Sequence, residues 1–181
     1  MSNYTMLEKE IIQLSKNQNF QLSIMQNKRL QKEIVELSKN RNFEFTLSHS
    51  NIQVKFFSTN DSPYAHIPIN LVITISKNYP FAPCLISFNP IIIHPNITHE
   101  GFLDYPPFKQ DWSAAYTIEK IILEIQTLFH KPFICEDIPF VSDKGKEEED
   151  GLVTQISANP EALRLWQEEP ETLREIVLSQ I

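Results

Sequence analysis

Residues 79–101 read YPFAPCLISFNPIIIHPNITHEG, and this stretch decides the fold. It holds two proline-containing phrases, YPFAP at 79–83 and HPN at 94–96, on either side of a short apolar segment. Prolines fix the backbone angle φ and mark rigid, irregular connections. The segment between the phrases, Leu85–Phe88, has the length and composition of a strand. We therefore expect a strand flanked by proline-rich loops.

Upstream of this stretch, apolar residues alternate with polar ones, which indicates further strands. Three more short segments show the pattern, and turn-forming residues separate them. The four predicted strands are centred on Phe43–Leu47, Ile52–Phe56, Leu71–Ile75 and Leu85–Phe88. Their close succession predicts a four-stranded antiparallel meander.

Helical periodicity returns after the proline-rich region. Thr117 can cap a helix with a broad apolar face made of Ile118, Ile121, Ile122, Ile125 and Leu128. A last helix is predicted to begin with Asn159 as its cap and Pro160 in its first turn, and Pro170 is expected to divide it in two. Strands followed by helices indicate an α+β domain.

One helix-like segment occurs twice near the N-terminus. KEIIQLSKNQNF at 9–20 recurs as KEIVELSKNRNF at 32–43, with nine of the twelve positions identical. Each copy has an apolar stripe on one helical face, made of Leu7, Ile11 and Leu14 in the first copy and of Leu30, Ile34 and Leu37 in the second. A solenoid needs at least about three units, so duplication of a single helix is the simpler explanation.

The composition excludes several classes of function. The formal net charge of the 181 residues is −7, and an acidic surface repels the phosphates of nucleic acids. Three scattered glycines are too few for a phosphate-binding loop. No apolar run approaches the ~20 residues that span a membrane, so no membrane insertion is expected. A cytoplasmic location is the default expectation, and organelle import without a cleaved presequence stays open.

These motifs follow one another as they do in the ubiquitin-conjugating enzyme family, which the chain resembles. The shared phrases are RLQKEI at 29–34, SPY at 62–64, YPFAP at 79–83, HPNI at 94–97, Gly101, WS at 112–113, TI at 117–118 and NPEA at 159–162. HPN alone is a weak signal, but its distances from YPFxP, the glycine and the Trp-Ser pair make the set specific. The resemblance runs from residue 28 to about 132 and resumes at residue 159. One departure follows SPY, where the family often has two glycines and this chain has Ala65-His66-Ile67.

The resemblance implies which helix copy belongs to the fold. In the family the first helix leads directly into the first strand, and only the second copy, Leu30–Asn42, does so here. The implied fold has one N-terminal helix, a four-stranded antiparallel sheet, a central helix and C-terminal helices. Residues 1–27 would form an extension with the extra helix. Residues 28–181 would form the domain, with an acidic loop insertion at about 135–157.

The extra helix needs a place to bury its apolar stripe, because an isolated helix of this length is marginal in water. Leu7, Ile11 and Leu14 are therefore candidate partner-binding residues that would dock in a groove of another protein. Two alternatives stay open. The helix could fold back on its own domain, or it could compete for the position of the second copy and so permit a domain swap.

The resemblance also implies the position of the catalytic cysteine, eight residues after the HPN asparagine. Counting from Asn96 leads to Asp104, and the spacing from Gly101 to Trp112 matches the family without a gap. A carboxylate is a weak nucleophile toward a thioester, and its product would be an anhydride that water destroys. We therefore expect no enzymatic activity. The retained HPN motif, His94, Pro95 and Asn96, is expected to be structural.

The other residues with possible chemistry give weaker signals. Cys84 is expected to be buried, and Cys135 precedes two acidic residues that would hold its thiol protonated. His94, His99 and Glu100 have no clear further ligand beside them, so neither a metal nor a cofactor is expected.

The loop around Asp104 has two further features. Glu100 and Asp104 are expected to be solvated side chains and not an acid–base pair. Pro106-Pro107 is expected to hold the loop in an extended form.

Three functions follow from the resemblance, in order of preference. The first is a catalytically inactive member that binds proteins as a cofactor or adaptor, with ubiquitin or an active conjugating enzyme as candidate partners. The second is a structural subunit of a large multiprotein assembly. The third is an active enzyme that uses Cys84 or Cys135 as a non-standard nucleophile.

Overall fold

The computed structural model describes residues 27–48, 51–134 and 157–180. The elements in these ranges confirm the predicted order of an N-terminal helix, four strands and later helices. They are α1 (Lys28–Leu37), β1 (Glu44–Ser48), β2 (Asn51–Phe57), β3 (Pro68–Thr74), β4 (Leu85–Phe88), a 3₁₀ helix (Pro106–Phe108), α2 (Ile118–Leu128), α3 (Pro160–Glu168) and α4 (Pro170–Ser179).

The four strands form one antiparallel sheet in the order β1-β2-β3-β4, which is the predicted meander. Side chains alternate along each strand because the pleat points successive residues to opposite faces. The inner face contributes a continuous set of buried side chains: Ile52, Val54, Phe56, Ile69, Leu71, Ile73, Ile86 and Phe88. The outer face exposes residues such as Gln53 and Lys55 and has a shallow groove of about 380 Å³ across β1, β2 and β3.

Helix α2 joins the same core through its apolar face. Ile118, Ile121, Ile122 and Ile125 are each fully buried. Full burial of such a side chain stabilises a fold by roughly 1.5–3 kcal/mol. The predicted cap is confirmed, because Thr117 Oγ1 accepts a hydrogen bond from the Lys120 amide at 3.2 Å. The core therefore fixes α2, whose last residue, Leu128, contacts the HPN motif through His94.

Helix α1 is the second copy of the repeat, and it leads into β1. It buries the predicted stripe of Leu30, Ile34 and Leu37. The helix ends at Leu37. Beyond its end, the Asn40 side chain accepts from the Asn42 amide at 2.8 Å and donates to Glu119 at 2.8 Å. These bonds replace helical ones.

The Glu33 carboxylate joins α1 to α2. Its side chain is only 9% exposed, and hydrogen bonds compensate for the burial of its oxygens. Its Oε1 accepts from Arg29 Nε at 2.7 Å. Its Oε2 accepts from the Ile118 amide at 2.9 Å and from the Tyr79 hydroxyl. A negative charge is favourable at the start of α2, where helix amides lack partners. Burial and the Glu33 contact raise the pKa of Tyr79, so its hydroxyl stays a donor.

The C-terminal helices follow the prediction. Asn159 caps α3 by accepting a hydrogen bond from the Ala162 amide at 3.1 Å, and Pro170 begins a separate helix. Leu173 and Val177 bury the inner side of α4, and the Trp166 ring lies 5.4 Å from the Tyr64 ring. These helices close the core near the HPN motif.

Several expectations fall outside the described residues. They concern the first helix copy with Leu7, Ile11 and Leu14, the thiol of Cys135, and nearly all of the acidic loop at about 135–157. Among the helices in the described ranges, none is both long enough and apolar enough to cross a membrane.

Candidate functional site

His94 is the first residue of the HPN motif and is fully buried. Its Nδ1 accepts a hydrogen bond from the Asn96 amide at 3.0 Å, so Nε2 carries the proton and donates to the Leu128 carbonyl at 3.0 Å. Burial lowers the pKa of His94 to about 3, because the charged ring would lose its hydration. His94 is thus a neutral link between the motif and the end of α2.

The Asn96 side chain is hydrogen-bonded to both main-chain polar groups of one residue, Phe133. Its Nδ2 donates to the Phe133 carbonyl at 2.7 Å, and its Oδ1 accepts from the Phe133 amide at 2.9 Å. Asn96 is only 3% exposed, and these bonds use its amide oxygen and one of its amide protons. In this arrangement the amide is committed to the chain after α2 and does not point freely at a reacting group.

Pro95 connects the motif to the C-terminal helices. Its carbonyl oxygen accepts from the Asn159 amide at 3.1 Å and from the Ser157 hydroxyl at 2.6 Å. Asn159 is also the cap of α3, so the bond positions the start of that helix. The HPN motif, which directly precedes the β-bridge between Ile97 and Leu103, therefore contacts both the segment after α2 and the start of α3.

Asp104 lies beside this motif, directly after Leu103. Its backbone amide donates to the Asn96 carbonyl at 2.8 Å, which fixes its place relative to the HPN turn. Its side chain is 43% exposed and forms an ion pair with Lys109, with 2.5 Å between Oδ1 and Nζ. Sequence reasoning identified Asp104 but missed Lys109, whose partner depends on how the chain turns between them.

A 3₁₀ helix at Pro106–Phe108 produces that turn, so the prediction of an extended loop was wrong. The Lys109 amide donates to the Pro106 carbonyl at 2.9 Å, and this bond brings Lys109 back toward Asp104. Proline fits the first turn of a helix because the amide it lacks would have no partner there. The Phe108 ring is buried and meets Tyr105 edge-on at 4.9 Å.

Cys84 lies near this loop, at the edge of a cavity of about 210 Å³ that Leu103, Phe108 and Lys109 also line. The thiol belongs to a residue that is 7% exposed, which confirms the expected burial. Burial raises the pKa of Cys84 to about 12, so the nucleophilic thiolate is suppressed near neutral pH.

His66 occupies the position where the resemblance leads to a glycine, and its φ is 64°. L-residues adopt this left-handed backbone conformation infrequently, and glycine adopts it without strain. Arg174 of α4 braces the turn by donating to the Pro63 carbonyl at 3.1 Å and to the Ala65 carbonyl at 2.9 Å. Arg174 thus supports a turn in which a non-glycine residue adopts the left-handed conformation.

Carboxylates and histidines do not converge on a metal site in the part of the chain that the structure describes. Glu100 is exposed, and its hydrogen bonds to Thr98 and to its own backbone lower its pKa. That carboxyl therefore has the character of a solvated surface group.

Replacing Asn96 by alanine tests whether the motif is structural. Asn96→Ala leaves the main-chain N–H and C=O of Phe133 without their partner, so we expect the free energy of unfolding to fall by about 2–4 kcal/mol. Urea titration followed by circular dichroism measures it. The control Asn60→Ala removes an exposed asparagine and should change it by less than about 0.5 kcal/mol. Equal stability of the two variants would contradict the structural role.

The comparison with protein families agrees with this geometry. The family model described as ubiquitin-conjugating enzyme matches residues 29–150, which is more than half of the chain. The match includes α1, the whole sheet, the HPN motif, Asp104 and α2. The chain therefore belongs to the ubiquitin-conjugating enzyme family.

Proposed function

We propose that this chain is a catalytically inactive ubiquitin-conjugating-enzyme-like protein that works by binding other proteins, as a cofactor or adaptor. The observation that carries the proposal is Asp104, which stands eight residues after Asn96, where the resemblance implies the catalytic cysteine. Its candidate ligands are ubiquitin and an active conjugating enzyme.

The chemistry of ubiquitin transfer supports inactivity. A conjugating enzyme accepts ubiquitin when its thiolate attacks the thioester of the activating enzyme, so one thioester forms as another breaks and the first thiol leaves. An aspartate at this point would give a mixed anhydride, which is far less stable in water. The ammonium group of Lys109, 2.5 Å from the Asp104 carboxyl, further reduces the availability of that oxygen's electron pairs.

The surroundings offer no ready substitute in the described part of the chain. Cys84 is buried and holds its proton, as its raised pKa indicates. The Asn96 amide, which could otherwise stabilise an oxyanion, is bonded to Phe133. Both features fit a fold that is maintained without selection for acyl transfer.

The loop before β4 supports a role in protein binding. Phe81 is 84% exposed, so most of its ring is available for contact with a partner. Asn27 Nδ2 donates to the Tyr79 carbonyl at 2.8 Å, and Trp112 Nε1 donates to the Pro80 carbonyl at 2.8 Å. Because these bonds already fix the backbone, a partner that buries the ring loses little conformational entropy.

A charging assay tests the absence of transfer activity. The purified full chain is incubated with activating enzyme, ATP and ubiquitin, and the products are separated without reducing agent. We expect no ubiquitin adduct that a thiol reagent removes, while an active conjugating enzyme in a parallel reaction forms one. An adduct that disappears in Cys84→Ser or Cys135→Ser would overturn the proposal and identify the sulfur.

A binding measurement with matched variants tests the positive half of the proposal. Titration calorimetry of the full chain with ubiquitin and with an active conjugating enzyme should give saturable binding for at least one of them. For that ligand, Phe81→Ser should raise Kd at least about tenfold, which is ~1.4 kcal/mol. Phe57→Ser, which removes a ring that is 57% exposed on β2, should change Kd less than about twofold.

Binding of neither ligand would contradict the cofactor role. If the native protein then co-migrates with a stable megadalton complex, the alternative of a structural subunit takes its place. Equal effects of the Phe81 and Phe57 substitutions would contradict the assignment of the binding loop.

A further inference from the structure

The position of α1 and β1 in the domain can be compared with the upstream repeat residue by residue. A shift of 23 positions aligns the two copies, and the identity of nine residues in twelve was noted above. The aligned pattern extends beyond the helix. Gln21-Leu22-Ser23-Ile24 has the alternation of Glu44-Phe45-Thr46-Leu47, which forms β1. The repeat therefore covers, in sequence, the segments that form α1 and β1 in the second copy.

We propose that residues 7–24 can dock in the place that residues 30–47 take in the structure. The two segments of one chain can then exchange. The position, here called the α1–β1 seat, consists of the groups that contact α1 and β1. In the structure residues 30–47 occupy it. This inference does not depend on the proposed function.

The apolar contacts of the seat are all represented in the upstream segment. Leu30, Ile34 and Leu37 are nearly or fully buried, and they align with Leu7, Ile11 and Leu14. Phe43 and Leu47 are each 6% exposed, and they align with Phe20 and Ile24. The upstream segment can thus bury nearly the same apolar surface, which is the main source of stability for such a docking.

Two polar contacts of the seat are also represented. Glu33 accepts from the Ile118 amide at 2.9 Å, and the aligned residue is Glu10. Asn40 donates to Glu119 at 2.8 Å, and the aligned residue is Asn17. A generic amphipathic helix would match the apolar stripe alone, whereas this segment also carries the side chains that meet α2.

Three differences explain why residues 30–47 hold the seat. The Asn27 side chain accepts from the Leu30 amide at 3.1 Å, and Tyr4 at the aligned position has no such cap. Arg29 donates to the Tyr116 carbonyl at 2.8 Å, and Met6 replaces it. Glu8 aligns with Gln31, which is 6% exposed, and would bring a carboxyl into a buried position. The exchanged arrangement is therefore the minor one.

The topology allows the exchange without threading the chain. In the sheet β1 is an edge strand that pairs with β2 alone, so only one ladder has to open and close again. Residues 49 and 50 connect β1 to β2. In the exchanged arrangement residues 26–50 would form that connection, and loop closure becomes only slowly less favourable with length. Residues 30–47 would then be released for other contacts while the domain stays folded.

A set of aspartate substitutions in the full chain tests the exchange. Ile34→Asp should move the chain toward the exchanged arrangement and leave a cooperative urea transition. Ile11→Asp should leave the unfolding midpoint close to that of the unmodified protein. The double variant should lose the cooperative transition, because neither segment can then fill the seat. Loss of the transition in Ile34→Asp alone would overturn the proposal.

Thiol cross-linking gives a second readout that does not depend on stability. A short bismaleimide should join the sulfurs in Asn17→Cys/Glu119→Cys only when the upstream segment fills the seat, and Asn40→Cys/Glu119→Cys reports the observed arrangement. Peptide mass spectrometry identifies the joined positions. We expect the 17–119 product within single chains, at least tenfold more of it in the Ile34→Asp background, and none with Ile11→Asp. Its absence from the Ile34→Asp background, or its occurrence only between two chains, would overturn exchange within one chain.

Discussion

The constraint on which the structure depends is the set of hydrogen bonds made by the buried HPN turn. His94 binds the end of α2, Asn96 binds the main-chain N–H and C=O of Phe133, and the Pro95 carbonyl accepts from Asn159 at the start of α3. These segments are far apart in the sequence, and none of them could be placed by local propensity. A buried polar group that loses its partner costs more than the same bond contributes net, so each of these residues is difficult to replace.

Under the proposed function, this constraint explains why the HPN motif would be retained after catalysis is lost. The HPN turn lies in the interior, where substitution exposes unsatisfied peptide groups. Asp104 lies at the surface, 43% exposed, where a change of side chain costs the fold little. The proposed loss of the nucleophile and the retention of its neighbours are therefore compatible with selection to keep the fold for protein binding. In that proposal Phe81, exposed on a loop fixed by Asn27 and Trp112, offers the apolar contact.

The parts of the fold that the sequence predicted depend on local patterns. The two-residue alternation of Ile52, Val54 and Phe56 and the caps Thr117 and Asn159 act within a few residues, and all appear where expected. The features that it missed involve partners distant in sequence or a choice between similar conformations. The Asn40 side chain beyond the end of α1 contacts Glu119, 79 positions away. Pro106-Pro107 suits both an extended chain and the first turn of a helix, and the ring contact between Tyr105 and Phe108 accompanies the second.

The candidate site divides in the same way. Asp104 could be found by counting from Asn96, because the resemblance fixes that spacing. Its ion pair with Lys109 could not be found in this way, and neither could the three hydrogen-bond donors to Glu33. Both depend on how separate segments of the chain pack. The left-handed backbone of His66 could not be predicted from the sequence either, because its support comes from Arg174, more than 100 positions away.

The central claim is that the HPN turn holds the fold together, and the protonation of His94 tests it most directly. Nitrogen-15 NMR of the folded protein can follow both ring nitrogens of each histidine from pH 8 to pH 4. The structure predicts that His94 stays neutral throughout, with the proton on Nε2, because burial lowers its pKa to about 3. A protonation midpoint near the ordinary value of about 6.5, or a proton on Nδ1, would show an open and adjustable turn and would contradict the account.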